Sequence, residues 1–211
     1  LAFRSQRGRS QAIGQLYNQV GEGSSINFFE EFSYDHIRIL WKMGLSFDYR
    51  PLSFGFTVTT PSLGIYGKGE TVYNFTAVNI DTAGTGIGQS SMASNYQPEL
   101  SSNYRSPLSI AVGATYYFRK SSLYFSLEWF NNINEFAVLQ PENFIAQSSG
   151  NTISTQYEHE LRSVTNYGFG FQHEFNEKLS VYASGIRDNS ARITDSETPF
   201  SISNWDIYHV T

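Results

Sequence analysis

The sequence predicts an all-β fold: an antiparallel transmembrane β-barrel, present in part, with about seven to eight strands and long extracellular loops. Three observations point there. From Ile37 to Tyr49 every second residue is large and apolar, the same alternation returns in five later stretches, and aromatic residues, at 16%, are as frequent as charged ones. Strands with one apolar face need a second layer in water, whereas a barrel in lipid needs none.

Taken in order, Leu1 to Ser5 reads as the tail of a strand and Arg7 to Arg9 as a short basic turn. In Ser10 to Val20, Ile13, Leu16, Tyr17 and Val20 fall at helical spacing with Ser10 as N-cap, which predicts a short amphipathic helix. Asn27 to Tyr34 reads as an upward extension of the next strand. That strand sets Ile37, Ile39, Trp41, Met43, Leu45, Phe47 and Tyr49 against Arg38, Leu40, Lys42, Gly44, Ser46 and Asp48. At about 3.3 Å per residue it is roughly 40 Å long, more than the roughly 9 to 11 residues a tilted strand needs to cross a bilayer.

The pattern recurs in Leu52 to Val58, Leu108 to Phe118, Leu123 to Phe130, Asn166 to Gln172 and Leu179 to Ser184. By this alternation Trp41, Phe56, Val112, Leu127 and Phe169 face lipid, and Lys42, Glu128 and Gln172 face inward. The connections Arg50-Pro51, Arg119 to Ser122 and Asn176 to Lys178 are short, and 61–107, 134–160 and 189–203 are long. Barrels keep short turns on the periplasmic side and long loops outside, so every strand takes a consistent direction. Thr71 to Ile80 has strand propensity, while Asp81 to Ser102, rich in Gly, Ser and Thr, reads as a mobile loop.

Composition narrows the function classes. A net charge of -5 carries no nucleic-acid footprint, and no run approaches the 18 apolar residues of a membrane helix. With no cysteine there is no disulfide framework, thiolate metal site or thiol nucleophile. The four histidines are scattered; His159, between Glu158 and Glu160, reads as part of a solvated loop. GIYGKGE lacks the Lys-Ser/Thr ending of a phosphate loop. The expectation is a single domain over residues 1–211, not an enzyme, with no cofactor or metal. A chain that opens on a strand tail and closes on the alternation Trp205, Ile207, His209 reads as a longer barrel truncated at both ends.

The inward face suggests cargo. Gly44, Gly55, Gly113, Gly168 and Gly170 lie there and leave room, or else relieve strand crowding. Tyr117, Tyr124, Phe130 and Tyr182 give apolar wall amid hydroxyls. Arg38 and Lys42, flanking Leu40, are candidate contacts for a carboxylate; alternatively they pair internally with Glu128 or Asp48. The candidate substrate-binding set is therefore Arg38, Lys42, Tyr124, Glu128, Phe130 and Tyr182.

Four segments, TTPSLGIYGKGE (Thr59 to Glu70), SPLSIAVGATYYF (Ser106 to Phe118), LYFSLEWFNNINEF (Leu123 to Phe136) and NYGFGFQHEFNEKLSVYASGIRDNS (Asn166 to Ser190), resemble the FadL-type outer-membrane transporters for long-chain fatty acids and aromatic hydrocarbons. The resemblance implies a place in the cell outer membrane of a Gram-negative bacterium. It also implies a monomeric barrel larger than the strands seen here, with an N-terminal plug, and uptake of hydrophobic or amphipathic small molecules. The alternative is a barrel used as a scaffold, adhesin or secretion component through its outer loops.

Overall fold

The computed structural model describes residues 1–17, 23–81, 86–193 and 205–211. These form strands and no helix, and every pairing is antiparallel. The strands are β1 (Ala2–Tyr17), β2 (Gly23–Ile39), β3 (Lys42–Tyr49), β4 (Leu52–Thr59), β5 (Leu63–Ile80), β6 (Gln89–Ser101), β7 (Ser109–Phe118), β8 (Ser121–Phe130), β9 (Ile133–Leu139), β10 (Phe144–Ile145), β11 (Thr152–Ile153), β12 (Tyr157–Leu161), β13 (Val164–Asn176), β14 (Leu179–Asp188) and β15 (Ile207–Val210).

They divide into a wall and a head. The wall is one sheet in the order β15-β14-β13-β8-β7-β4-β3, and it is open, with β3 and β15 at its edges. Its ladder aligns the alternating residues into transverse rows. One face carries Leu45–Phe56–Val112–Leu127–Tyr167, then Phe47–Phe54–Ala114–Phe125–Phe169, then Tyr49–Leu52–Tyr116–Leu123–Phe171. With the row Met43–Val58–Ile110–Trp129 above them, these rows make a continuous apolar face, and Leu45, Phe47, Leu123 and Phe169 stand exposed on it. The opposite face carries Lys42, Glu128 and Gln172, as the alternation predicts.

The head is the sheet β1-β2-β5-β6 together with the pairs β9-β12 and β10-β11. Its core lies between β2 and the β9-β12 hairpin: Phe32 and Tyr34 meet Phe136, Val138, Leu139 and Tyr157, with Tyr104 from the segment after β6. Leu139 is fully enclosed at 0% exposure. Gly69 on β5 makes the fit possible, since a Cβ there would stand 2.5 Å from Leu139 Cδ2 and 2.7 Å from the Ser33 carbonyl oxygen.

Each long strand is interrupted where it passes from wall to head. The breaks fall at Leu40-Trp41, Thr60 to Ser62, Ser102 to Leu108, Asn131-Asn132 and Arg162-Ser163, all just above the wall row Lys42–Thr59–Ser109–Phe130–Val164. This waist is tied by irregular hydrogen bonds. Thr60 N donates to Trp41 O at 2.9 Å, Trp41 N to Thr60 Oγ1 at 3.0 Å, and Asn131 N to Leu108 O at 2.9 Å.

Several sequence expectations are corrected here. Ile37 to Tyr49 is two strands, because a hydrogen bond from Trp41 N to the Thr60 side chain replaces the ladder at Trp41. Ser10 to Tyr17 is strand, since residue-by-residue pairing with β2 overrides a helical spacing whose apolar members have nothing to pack on; Val20 lies outside the described residues. Arg7 and Arg9 are mid-strand, two positions apart on one face, and both bind the Glu31 carboxylate, Arg9 at 2.7 Å. Asp81 to Ser102 is mostly β6, held by β5 despite its weak strand propensity, with 82–85 outside the described residues. The 134–160 connection is largely strand, β9 to β12, and the Asn166 to Gln172 alternation lies within β13. Asn27 to Tyr34 is the strand extension expected. Of 189–203, residues 194–203 lie outside the described residues.

Candidate functional site

The polar face of the wall has a cross-strand line of small side chains, Ser46–Gly55–Gly113–Ser126–Gly168, where three of the five inward glycines meet. Three adjoining hollows border it. One, of about 250 Å³, is lined by Tyr124, Ser126, Gly168, Gly170, Gln172 and Tyr182. The Tyr124 hydroxyl donates to Gln172 Oε1 at 2.9 Å, which orients the ring along its edge. A second, of about 440 Å³, has Glu128, Asn166 and Asp188 on its rim, and a third, of about 330 Å³, has Asp48, Ser53 and Thr115. The charged side chains lining these hollows are acidic. A larger hollow of about 640 Å³ lies against the apolar face, where Ala114, Ala183 and Gly185 leave room among Phe125, Phe169 and Phe171.

Of the sequence candidates, the structure brings Tyr124 and Tyr182 together and sets Glu128 in the next hollow. Phe130 stands higher, in the topmost wall row with Lys42. Lys42 and Glu128 are three strands apart, about 14 Å, and no ion pair joins Lys42 or Arg38 to Glu128 or Asp48 among the described residues. Arg38 is on the other side of the waist, in the head, with its guanidinium 5.0 Å from the Tyr104 ring centre.

That position belongs to a second cluster. Arg4 pairs with His36 across β1 and β2, and its guanidinium lies 4.1 Å from the same Tyr104 ring, held by the Tyr34 hydroxyl at 2.9 Å and Gln6 Oε1 at 2.7 Å. His159 stacks on Tyr104 at 5.6 Å. It is buried at 3% exposure on β12, so the solvated-loop expectation is overturned: alternation turns its acidic neighbours away while His159 points into the core. Nothing in the sequence marks Arg4, His36 and Tyr104 as a group. Only an inward alternation of Tyr34, His36 and Arg38 was available to suggest it.

Burial lowers the pKa of both His36 and His159, and the nearby guanidiniums, Arg38 for His36 and Arg4 for His159, lower it further. Arg105, 4.9 Å over Phe136, adds a third cation at this core, and the inward carboxylate of Glu30 accepts from the Tyr157 hydroxyl instead. The fold thus disfavours protonation of both imidazoles. As pH falls through about 6.5 the unfolded chain takes up protons that the folded head refuses, so the head's stability, full above that value, declines below it. Protection factors of the β9 and β12 amides, taken relative to the intrinsic exchange rate at each pH, should fall between pH 7 and pH 5, and His36→Gln with His159→Gln should flatten the dependence.

No family model, curated protein or solved structure matches the chain.

Proposed function

We propose that the chain forms part of the wall of an outer-membrane β-barrel in a Gram-negative bacterium, one that admits hydrophobic or amphipathic small molecules such as long-chain fatty acids. The observation that carries this is the two-faced wall. Its four apolar rows span roughly 20 Å along the strands, near the apolar band of about 25 Å in membrane barrels. Among the described residues nothing covers them, and an apolar surface of that extent is rare on a protein in water. The opposite face supplies aromatic rings, hydroxyls and a small-residue line that leaves room for an apolar chain.

The test is displacement of a fluorescent fatty-acid analogue from the detergent-folded chain by oleate and by a neutral hydrocarbon. Tyr124→Ala with Tyr182→Ala should weaken both by about tenfold, or ~1.4 kcal/mol. If a folded chain binds neither, a scaffold takes precedence. The head favours that second possibility, because it has a hydrophobic core of its own on which partner-binding surface can be displayed.

A further inference from the structure

We propose that the cage around Tyr104 is an oxyanion site, taking a carboxylate or phosphate group between the guanidiniums of Arg4 and Arg38. The ladder assembles it: Arg4 is opposite His36, Ala2 is opposite Arg38, and the side chains of Arg4, His36 and Arg38 turn to the side on which Tyr104 and His159 lie. Gly64 on β5 leaves the space His36 occupies, since a Cβ there would be 2.9 Å from His36 Nε2.

Among the described residues, no carboxylate compensates the charge of this cage. Arg4 and Arg38 belong to no ion pair among the described residues. Alternation sends Glu31 and Asp35 to the other face of β2 and Glu158 and Glu160 to the other face of β12. Glu30 faces inward, but it is six residues along β2 from His36, roughly 20 Å, and accepts from Tyr157. Nε and Nη1 of Arg38 and Nδ1 of His36 are buried with no protein partner, and His36 is 2% exposed. Buried guanidinium donors without an acceptor are rare in folded proteins, and guanidiniums more than other groups seek oxygen pairs. An oxyanion supplies two or more acceptors and the missing negative charge in one group. The cage offers these anion contacts whether or not the wall lies in lipid.

Calorimetric titration of the detergent-folded chain with inorganic phosphate and, separately, with decanoate tests this, with decanol as the uncharged control. At least one anion should bind at concentrations up to about 10 mM. Arg38→Gln and Arg4→Gln should each weaken it at least tenfold, while Lys68→Gln, which removes an exposed pair with Glu99, should not. Decanoate binding much tighter than phosphate identifies the carboxylate of an amphiphile, and phosphate binding alone identifies a free anion. No binding of either anion, or binding that survives both arginine substitutions, overturns the site. Tyr124→Ala with Tyr182→Ala leaves the cage intact, so loss of binding at the wall is distinguishable from loss here.

Discussion

Leu127→Arg is expected to destabilise the folded chain by about 2 to 4 kcal/mol, and Ser126→Arg, one residue away, by much less. Leu127 stands between Val112 and Tyr167 in an apolar row, and Ser126 between Gly113 and Gly168 beside the hollows of the other face. Charge on the lipid side of a membrane barrel is costly near mid-bilayer and tolerated toward the lumen, whereas a sheet with water on both sides would accept either arginine at small cost. Urea unfolding in lipid vesicles separates the cases. Equal costs at the two positions would remove the apolar face from lipid and with it the proposed barrel.

The second large effect belongs to the head. Leu139→Ala should cost about 2 to 5 kcal/mol, because the side chain is wholly enclosed in the cluster with Val138, Phe136 and Tyr157 and packs directly on Gly69. Gly69→Ala should also destabilise, by crowding Leu139 from below. The two together should be non-additive, since truncating Leu139 frees the space the new methyl needs, although the Ser33 carbonyl still opposes it. Hydrogen exchange resolved by segment should show β9 and β12 loosening while β7 and β8 keep their protection. A uniform loss over all strands would mean that head and wall fold as one cooperative unit.

The wall was legible in the sequence because its signal is local. Alternation with period two assigns a face to each residue without knowledge of the partner strand, and turns as short as Arg50-Pro51 fix which strands are neighbours. The small-residue line followed from the same pattern. The head was not legible, because its strands are polar or glycine-rich and exist through their partners. Gln89 to Ser101 has the composition of a loop and becomes a strand on the edge of β5. Ile13, Leu16 and Tyr17 have helical spacing yet lie flat against Asn27, Ser24 and Gly23. Tyr104 sits in a polar stretch with nothing to mark it, and His159 between two glutamates looks solvated until β9 covers it. Of the candidate set, Tyr124 and Tyr182 share one hollow, Glu128 borders the next, and Arg38 lies across the waist beside Tyr104.

The interrupted waist also bears on how such a chain can change over generations. A one-residue slip in a continuous strand exchanges its two faces along its whole length. The wall ladder is regular across β3, β4, β7, β8 and β13, and apart from one shift at the β13-β14 turn, the register shifts all fall in the head pairings. Residues at the waist, outside the ladder and tied by irregular hydrogen bonds, can take up an inserted or deleted position before it reaches the wall. Head strands are thereby free to lengthen, shorten and diversify by descent, while the inheritance of an apolar and a polar face below them stays undisturbed.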